Sequence, residues 1–223
     1  MKLLGAQPKL VELVQDAILA DIASGKLRAG SRIVREQIAR DLGVSRQAVQ
    51  DALDVLRNLG VLREEPGYGL LVAPLDLAHI RDIYDMRAVI EGLAFRKAAE
   101  RNPRRAAEEG PAYIADGRAA VASGDMPRLI EADMAFHAFV YELSGNPLVA
   151  PAMEGHWTNM QRVMGEVLMR DTRPRDLWDQ HQQLLDAVTA GDGRKAEQLA
   201  WQHIGQSADF MIERLEREAA ART

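Results

Sequence analysis

Residues 38–53 are IARDLGVSRQAVQDAL, and this stretch decides the fold of the N-terminal part of the chain. A short segment with helical spacing of its apolar residues ends at Gly43, and Ser45 is a residue type that caps a following helix. The glycine turn lets two short helices pack across each other and leaves the first turns of the second helix exposed. The stretch therefore predicts a helix-turn-helix, a motif that enters the major groove of DNA by the N-terminal residues of its second helix.

The flanking sequence extends this motif in both directions. Apolar residues recur at helical spacing from about residue 9 to residue 23, and two short β-type runs, 61–63 and 70–72, enclose a segment with Pro66 and Gly67. Helix, helix, turn, helix and hairpin predict a winged helix-turn-helix over residues 1–74. A three-helix protein-interaction module has the same outline and is the alternative.

Only helical periodicity follows the short linker at residues 73–75. Turn signals divide the rest of the chain into six segments, with Pro147 and Pro174 at first-turn positions. The predicted helices span about 76–101, 104–122, 126–143, 147–170, 174–190 and 193–219. We therefore expect a mainly α protein, in which residues 75–223 form an antiparallel helical bundle.

Composition excludes several classes of protein and function. The chain has 223 residues, 47% of them apolar and 27% charged, which is typical of an ordinary soluble protein and too apolar for global disorder. The absence of cysteine excludes disulfides, a thiol nucleophile and thiolate metal ligands. No apolar run approaches the roughly 20 residues of a membrane span, and the N-terminus lacks a secretory signal, so we expect a cytoplasmic protein without a membrane partner.

The net charge of −5 conceals an uneven distribution. Residues 1–75 contain ten Lys/Arg and nine Asp/Glu, which leaves eighteen and twenty-four in the remainder, since the totals are 28 and 33. The N-terminal part is therefore almost neutral and the C-terminal part is acidic. DNA binding by this chain must depend on locally placed arginines rather than on a generally basic domain.

Four residues of the C-terminal part have the spacing of a metal site. Asp133 and His137 are four residues apart, which places them on one face of a helix. His181 and His203 are each 11 residues from Asp192, which lies in a glycine-containing turn. A helical hairpin folded at that turn brings the two imidazoles to the same level.

Three imidazoles and one carboxylate suit Zn²⁺, with Ni²⁺ and Mn²⁺ as alternatives. Each part of the set also has an ordinary interpretation: an Asp/His pair at this spacing is common without a metal, and a single buried histidine is more often a hydrogen-bonded core residue. His79 has the pattern of an exposed helical residue, whereas His156 is a candidate for lining the same pocket or for replacing one of the four ligands.

The N-terminal sequence resembles the DNA-binding domain of the GntR family of bacterial transcriptional regulators. The resemblance rests on residues 30–53, followed by Leu56 and Gly60. It implies a double-stranded DNA operator with an inverted repeat, and the candidate contacts to it are Arg35, Ser45, Arg46, Gln47, Gln50 and Arg63.

Two departures from the family's pattern affect the expected operator: Gln50 stands where the family has arginine, and the acidic–basic pair of the second helix is reversed as Arg35-Glu36. Because glutamine reads adenine where arginine prefers guanine, we expect an operator that deviates from the family's usual sequence. With Glu64 and Glu65 in the wing, only Arg63 is available there for a phosphate.

The whole chain is similar to regulators of the FadR branch of that family, which carry an FCD effector-binding domain. The similarity includes all four candidate metal ligands, Arg87 and Glu91 in the first bundle helix, and the segment 144–147. It implies a homodimer that binds a divalent metal and a small organic acid. The six predicted helices correspond to the shorter form of the domain, and Arg87, with Arg162 as the second and weaker candidate, would bind the effector. The alternative for either arginine is an ion pair on the helix surface or within its own helix.

These inferences predict a transcriptional regulator, in the family's commoner mode a repressor, whose affinity for its operator changes when a small carboxylate binds. We expect no enzymatic activity. Two alternatives remain: a regulator whose metal is purely structural or is itself the signal, and a metal-dependent hydrolase. The hydrolase is disfavoured because Asp133 is already used as a ligand and no further general base is evident.

Overall fold

The computed structural model describes residues 7–168 and 177–221. Within these ranges the chain forms helices and one two-stranded antiparallel sheet. The elements are α1 (Gln7–Ala23), α2 (Arg35–Leu42), α3 (Arg46–Asn58), β1 (Leu62–Glu65), β2 (Gly69–Val72), α4 (Leu77–Arg101), α5 (Pro103–Ser123), α6 (Met126–Leu143), α7 (Val149–Leu168), α8 (Leu177–Thr189) and α9 (Gly193–Ala221). The predicted mainly α architecture, with an N-terminal winged helix-turn-helix and a C-terminal helical bundle, is confirmed.

The chain divides into two compact units. The first comprises the described part of Met1–Leu75 together with Thr158–Glu166, and the second comprises Asp76–Trp157 and the described part of Val167–Thr223. The sequence-based boundary after residue 74 assigned residues 158–166 to the second domain. In the structure these residues of α7 pack in the first unit, where Asn159 donates a 2.8 Å hydrogen bond to the carbonyl oxygen of Leu59.

The first unit has an apolar core formed by α1, α3 and the sheet. Its fully buried members include Val14, Val49, Leu56 and Val72. Gly43 ends α2 with a φ of +65°, a left-handed conformation that glycine adopts without strain. Ser45 begins α3 as its cap, because its hydroxyl oxygen accepts a 3.1 Å hydrogen bond from the amide of Ala48.

The hairpin is longer than the sequence pattern indicates. The strands β1 and β2 pair with Leu62 opposite Val72 and Glu65 opposite Gly69, so the turn is shorter than the predicted loop. An isolated bridge between Arg32 and Leu71 adds the segment before α2 to the open edge of β2. The wing is therefore attached to the helix-turn-helix by backbone pairing.

The second unit contains the bundle. Helix α4 packs most extensively along α9, and α5 packs against α6 and α8. The large side chains at its centre are Phe95, Phe136, Leu143, Trp178 and Leu184. Within the described residues, no helix is long and apolar enough to cross a membrane.

The predicted helix boundaries agree with the structure to within about three residues, wherever the structure describes them. Helix α7 begins at Val149 instead of 147, since Asn146 and Leu148 lie in the turn that precedes it. The predicted boundary at 171–174, including the first-turn position of Pro174, lies outside the described residues.

Candidate metal centre and nucleic-acid interface

Three buried histidines from three helices meet in the second unit. His137 lies on α6, His181 on α8 and His203 on α9, and one ring nitrogen of each lies within 4.8 Å of the others. Asp133 lies one helical turn before His137, and its carboxylate oxygen is 3.4 Å from Nε2 of His181. The structure thus brings together all four residues that the spacing singled out.

The turn between α8 and α9 produces the predicted alignment of two imidazoles. Gly191 has a φ of +71°, which reverses the chain between the helices. Nε2 of His181 and Nε2 of His203 are consequently 3.2 Å apart, although 22 residues separate them. Residue counting from the turn therefore located this pair correctly.

Gln180 fixes the proton on His203. Nδ1 of His203 is 2.8 Å from the amide oxygen of Gln180, and the amide nitrogen of Gln180 donates a 3.0 Å hydrogen bond to Gln206. An amide oxygen only accepts, so Nδ1 of His203 is protonated. In a neutral ring this leaves the lone pair on Nε2, which is the atom that faces His181.

Arg87 and Glu91 of α4 contact the two ring nitrogens of His137. Nη2 of Arg87 is 3.2 Å from Nε2 of His137, and a guanidinium only donates, so this ring nitrogen carries a lone pair. Nδ1 of His137 is 2.6 Å from a carboxylate oxygen of Glu91. This second contact is close but not aligned as a hydrogen bond, and both atoms lack another hydrogen-bond partner among the described residues.

His181 then supplies the bridging proton of the cluster. Since the facing nitrogen of His203 is an acceptor, the 3.2 Å contact requires a proton on Nε2 of His181. Burial, followed by the neighbouring His203 and His137, holds the pKa of His181 well below its ordinary value, so the ring is neutral near pH 7. Its Nδ1 is buried and, among the described residues, has no hydrogen-bond partner.

The charges beside the histidines are buried and balanced. Arg87 is 3% exposed and forms an ion pair with Glu91, which also accepts a 2.9 Å hydrogen bond from the hydroxyl of Tyr141. Burial alone would raise the pKa of the Glu91 carboxyl, but Arg87 and His137 overcome this and hold it well below its ordinary value. Burial raises the pKa of the Asp133 carboxyl. The cluster therefore has one fixed ion pair and one carboxylate that a cation would keep ionised.

The chemistry of these residues, and the spacing of His181 and His203, fit a divalent cation. Two nitrogens bound to one zinc at about 2.0–2.1 Å in a tetrahedron are about 3.3 Å apart. The measured 3.2 Å between the nitrogens of His181 and His203 is close to that value, and Asp133 approaches the same nitrogen of His181. A cation there would replace the bridging proton, in line with the release of protons when metals bind histidine.

The two arginines that the resemblance suggested for effector binding have different surroundings. Arg87 lies beside the histidines, and its guanidinium carbon lies over the ring of Trp157, 4.9 Å from the ring centroid. Arg162 lies in the first unit, where it donates a hydrogen bond to the carbonyl oxygen of Ala73. His79 is exposed on α4, as expected, and His156 is half-buried on α7.

Sequence reasoning missed Gln180, Tyr141 and Trp157. Gln180 immediately precedes His181 in the chain, and a polar residue beside a candidate ligand is the signal that could have been used. Tyr141 lies four residues after His137 and therefore on the same helical face. Trp157 gives no such signal, because it approaches Arg87 from a different helix.

The exposed start of α3 is the candidate nucleic-acid interface of the first unit. Ser45, Arg46 and Gln47 are exposed, and Gln50 is half-buried. The amide oxygen of Gln50 accepts a 3.1 Å hydrogen bond from Arg35 of α2. The structure thus brings these five predicted DNA-contact residues to α2 and α3, whereas Arg63 lies in the wing.

The wing arginine is paired with an acidic neighbour. Arg63 is 3.3 Å from a carboxylate oxygen of Glu65, and Glu64 is 3.9 Å from Arg57 of α3. These exposed pairs reduce the positive charge that the wing presents.

Comparisons with known proteins agree with this architecture. The model "Bacterial regulatory proteins, gntR family" matches residues 10–72, and the model of the FCD domain matches residues 82–206. The "Probable D-xylose utilization operon transcriptional repressor" of Paenarthrobacter nicotinovorans is 27% identical over 86% of this chain and 84% of its own length. The transcriptional regulator LutR of Bacillus subtilis is 24% identical over 85% of this chain and 95% of its own. The solved structure of Escherichia coli McbR/YncC superimposes with a TM-score of 0.78 and is 21% identical in sequence. The match covers 92% of this chain and 97% of that one, which shows the shared fold.

The fold and these matches define a DNA-binding transcriptional regulator and not an enzyme. More particularly, the chain belongs to the GntR family of bacterial regulatory proteins, with an FCD domain as its C-terminal half.

Proposed function

We propose that Asp133, His137, His181 and His203 bind one divalent metal ion, with zinc the first choice and nickel or manganese the alternatives. The observation that carries the proposal is the convergence of three buried imidazoles, two of which have their lone pairs fixed on Nε2 by neighbouring side chains. Structural zinc sites in proteins are closed by four ligands, whereas an octahedral metal with these four would keep two positions for other ligands.

We further propose that a small carboxylic acid is the effector and that Arg87 binds it. Nη2 of Arg87 lies 3.2 Å from Nε2 of His137, so a metal bound to that nitrogen would displace the guanidinium, which could then share one anion with the metal. The positive charge of a divalent metal and the Arg87 guanidinium together exceeds the negative charge of the Glu91 and Asp133 carboxylates. The excess favours an anionic ligand. Because Arg87 is 3% exposed, entry of the acid requires side chains to move. Arg162 is not part of this proposal, because it lies in the other unit.

In this function the protein is a cytoplasmic homodimer that binds an inverted-repeat operator through α3 of each protomer. Half-sites about one DNA turn apart, roughly 34 Å, match two such helices. Effector binding in the second unit would change operator affinity, and a coupling of about 1–3 kcal/mol suffices for a switch of roughly 5- to 150-fold. Repression is the proposed mode, supported by the name of the Paenarthrobacter relative.

The first experiment tests the metal. Metal analysis and calorimetric titration of chelator-treated protein with Zn²⁺, Ni²⁺ and Mn²⁺ should give one site per chain, which His137→Ala removes. His79→Ala is the matched control, since this histidine lies on the exposed surface of α4. Equal metal binding by the His137→Ala variant would contradict the site.

The second experiment tests the effector and separates it from the alternative of a structural or signalling metal. An operator is first selected from random DNA, and its affinity is measured with a panel of small carboxylic acids. We expect one acid to change the affinity of the metal-loaded wild type and to have no effect on a folded Arg87→Met variant. If no acid acts but removing the metal abolishes folding or operator binding, the structural or metal-sensing function replaces this proposal.

A further inference from the structure

Two glutamines of α3 are held by neighbouring side chains in opposite orientations. Gln50 accepts a 3.1 Å hydrogen bond from Nη1 of Arg35, and the same guanidinium is held by Glu36 through contacts of 3.1 and 3.4 Å. Arginine has no acceptor, so the oxygen of the Gln50 amide must face it. The nitrogen of this amide, with its two hydrogens, therefore faces away from Arg35.

Gln47 has the reverse arrangement. Its amide nitrogen donates a 2.7 Å hydrogen bond to a carboxylate oxygen of Asp51, one helical turn later. An ionised carboxylate only accepts, so the nitrogen of the amide must face Asp51 and the oxygen is turned outwards. Neither amide makes another hydrogen bond among the described residues.

We infer that α3 presents to the DNA bases one fixed hydrogen-bond donor, on Gln50, and one fixed acceptor, on Gln47. The two glutamines therefore do not read adenine in the bidentate way that is usual for this residue. This inference rests on the proposed placement of α3 in the major groove. Bidentate recognition of adenine aims both ends of one amide at the base, whereas here one end of each amide faces a neighbouring side chain. The donor of Gln50 would therefore select guanine and thymine, the two bases that present an acceptor but no amino group in the major groove. Gln47 would select the amino groups of cytosine or adenine.

Arg35 is in this inference a positioning residue for base selection. If Gln50 turned its oxygen towards a base, it would give up a hydrogen bond to a charged donor. That loss falls on adenine and cytosine, whose amino groups require the amide oxygen, whereas reading guanine or thymine leaves the contact with Arg35 intact. The discrimination depends on the pair Arg35–Gln50 and not on glutamine by itself.

The test compares base preferences of the full-length protein by selection and sequencing of random DNA. The base pair whose preference is flattened by Gln50→Met defines the Gln50 position. There the wild type should prefer guanine or thymine, and Arg35→Met should raise the ratio of adenine to these bases by roughly 2- to 12-fold, the net worth of one hydrogen bond. Arg28→Met, which removes an exposed arginine outside α2 and α3, should leave the ratio unchanged.

The possible results separate the inference from the proposal on which it depends. A wild-type preference for adenine at the Gln50 position, or an unchanged ratio in the Arg35→Met variant, overturns the fixed amide orientation while α3 remains the reader. If Gln47→Met, Gln50→Met and Arg46→Ala all leave every base preference unchanged, the placement of α3 in the groove fails as well. Binding to unselected DNA at low salt shows that each variant is folded.

Discussion

Gln180 and Glu91 act on the histidine cluster without being candidate ligands themselves. Each lies at the ring nitrogen of a histidine that faces away from the centre, with separations of 2.8 Å for Gln180 and His203 and 2.6 Å for Glu91 and His137. Such partners select the tautomer and orient the ring, and changing them in known metal sites typically costs 10- to 100-fold in affinity. If the four residues bind a metal as proposed, single residues outside the ligand set would therefore influence its affinity.

The first prediction concerns Gln180. Replacing it with leucine leaves Nδ1 of His203 without its acceptor, so the ring loses its fixed tautomer, and we expect metal affinity to fall by about 10- to 100-fold. Competition with a chromophoric chelator measures the affinity. Gln183→Leu is the matched control, because Gln183 is exposed on the same helix. Equal affinities of the two variants would contradict a role for Gln180.

At the scale of elements, a glycine that faces a large side chain allows helices α5 and α8 to approach each other closely. Gly117 of α5 lies against the indole ring of Trp178 on α8, and a Cβ built at this glycine would overlap that ring. Trp178 is almost fully buried and its ring centroid is 4.6 Å from that of His181, in an edge-on arrangement. The contact between α5 and α8 therefore also supports one of the candidate ligands.

The second prediction follows from this contact. Gly117→Ala should destabilise the protein by about 1–3 kcal/mol, because the buried indole has no room to move away from the added methyl group. Gly205→Ala on α9 is the opposite case, since a Cβ there meets no atom within 4 Å. It should stabilise by about 0.5–1 kcal/mol through the better helix propensity of alanine. Urea unfolding of metal-free protein measures both, and destabilisation of similar size in the two variants would argue against the packing explanation.

For the whole molecule, the distribution of charge limits how DNA is bound. The N-terminal 75 residues are close to neutral, and the wing contributes two glutamates that pair with Arg57 and Arg63. Affinity that comes from phosphate contacts falls steeply with salt, with a logarithmic slope of about −0.9 for each phosphate neutralised. We therefore expect the operator affinity of this protein to fall less steeply with salt than that of a regulator with a basic DNA-binding domain.

The third prediction tests this limit. Glu64→Lys places a positive charge on the exposed wing and removes one of the two acidic neighbours of Arg57, so operator affinity at low salt should rise. The slope of log affinity against log salt should steepen by about 0.9 for each new phosphate contact. Glu213→Lys, in the second unit, makes the same change in net charge and should leave the slope unaltered. If both variants have the same slope, net charge and not the wing controls affinity.

Sequence alone determined what depends on neighbours in the chain. Apolar periodicity and glycine turns gave the helices and the hairpin, because helix and strand geometry repeat over a few residues. The i,i+4 spacing paired Asp133 with His137, and counting from the turn at Gly191 paired His181 with His203, for the same reason.

Tertiary structure decided which of these local units meet. Only the packing of α4 against the bundle brings Arg87 and Glu91 to His137, and only the path of α7 places Arg162 at Ala73 and Trp157 over Arg87. The orientation of Gln50 likewise depends on Arg35, fifteen residues earlier on another helix. Contacts between helices depend on the fit of many side chains at once, such as Trp178 against Gly117, and no local spacing rule contains that information.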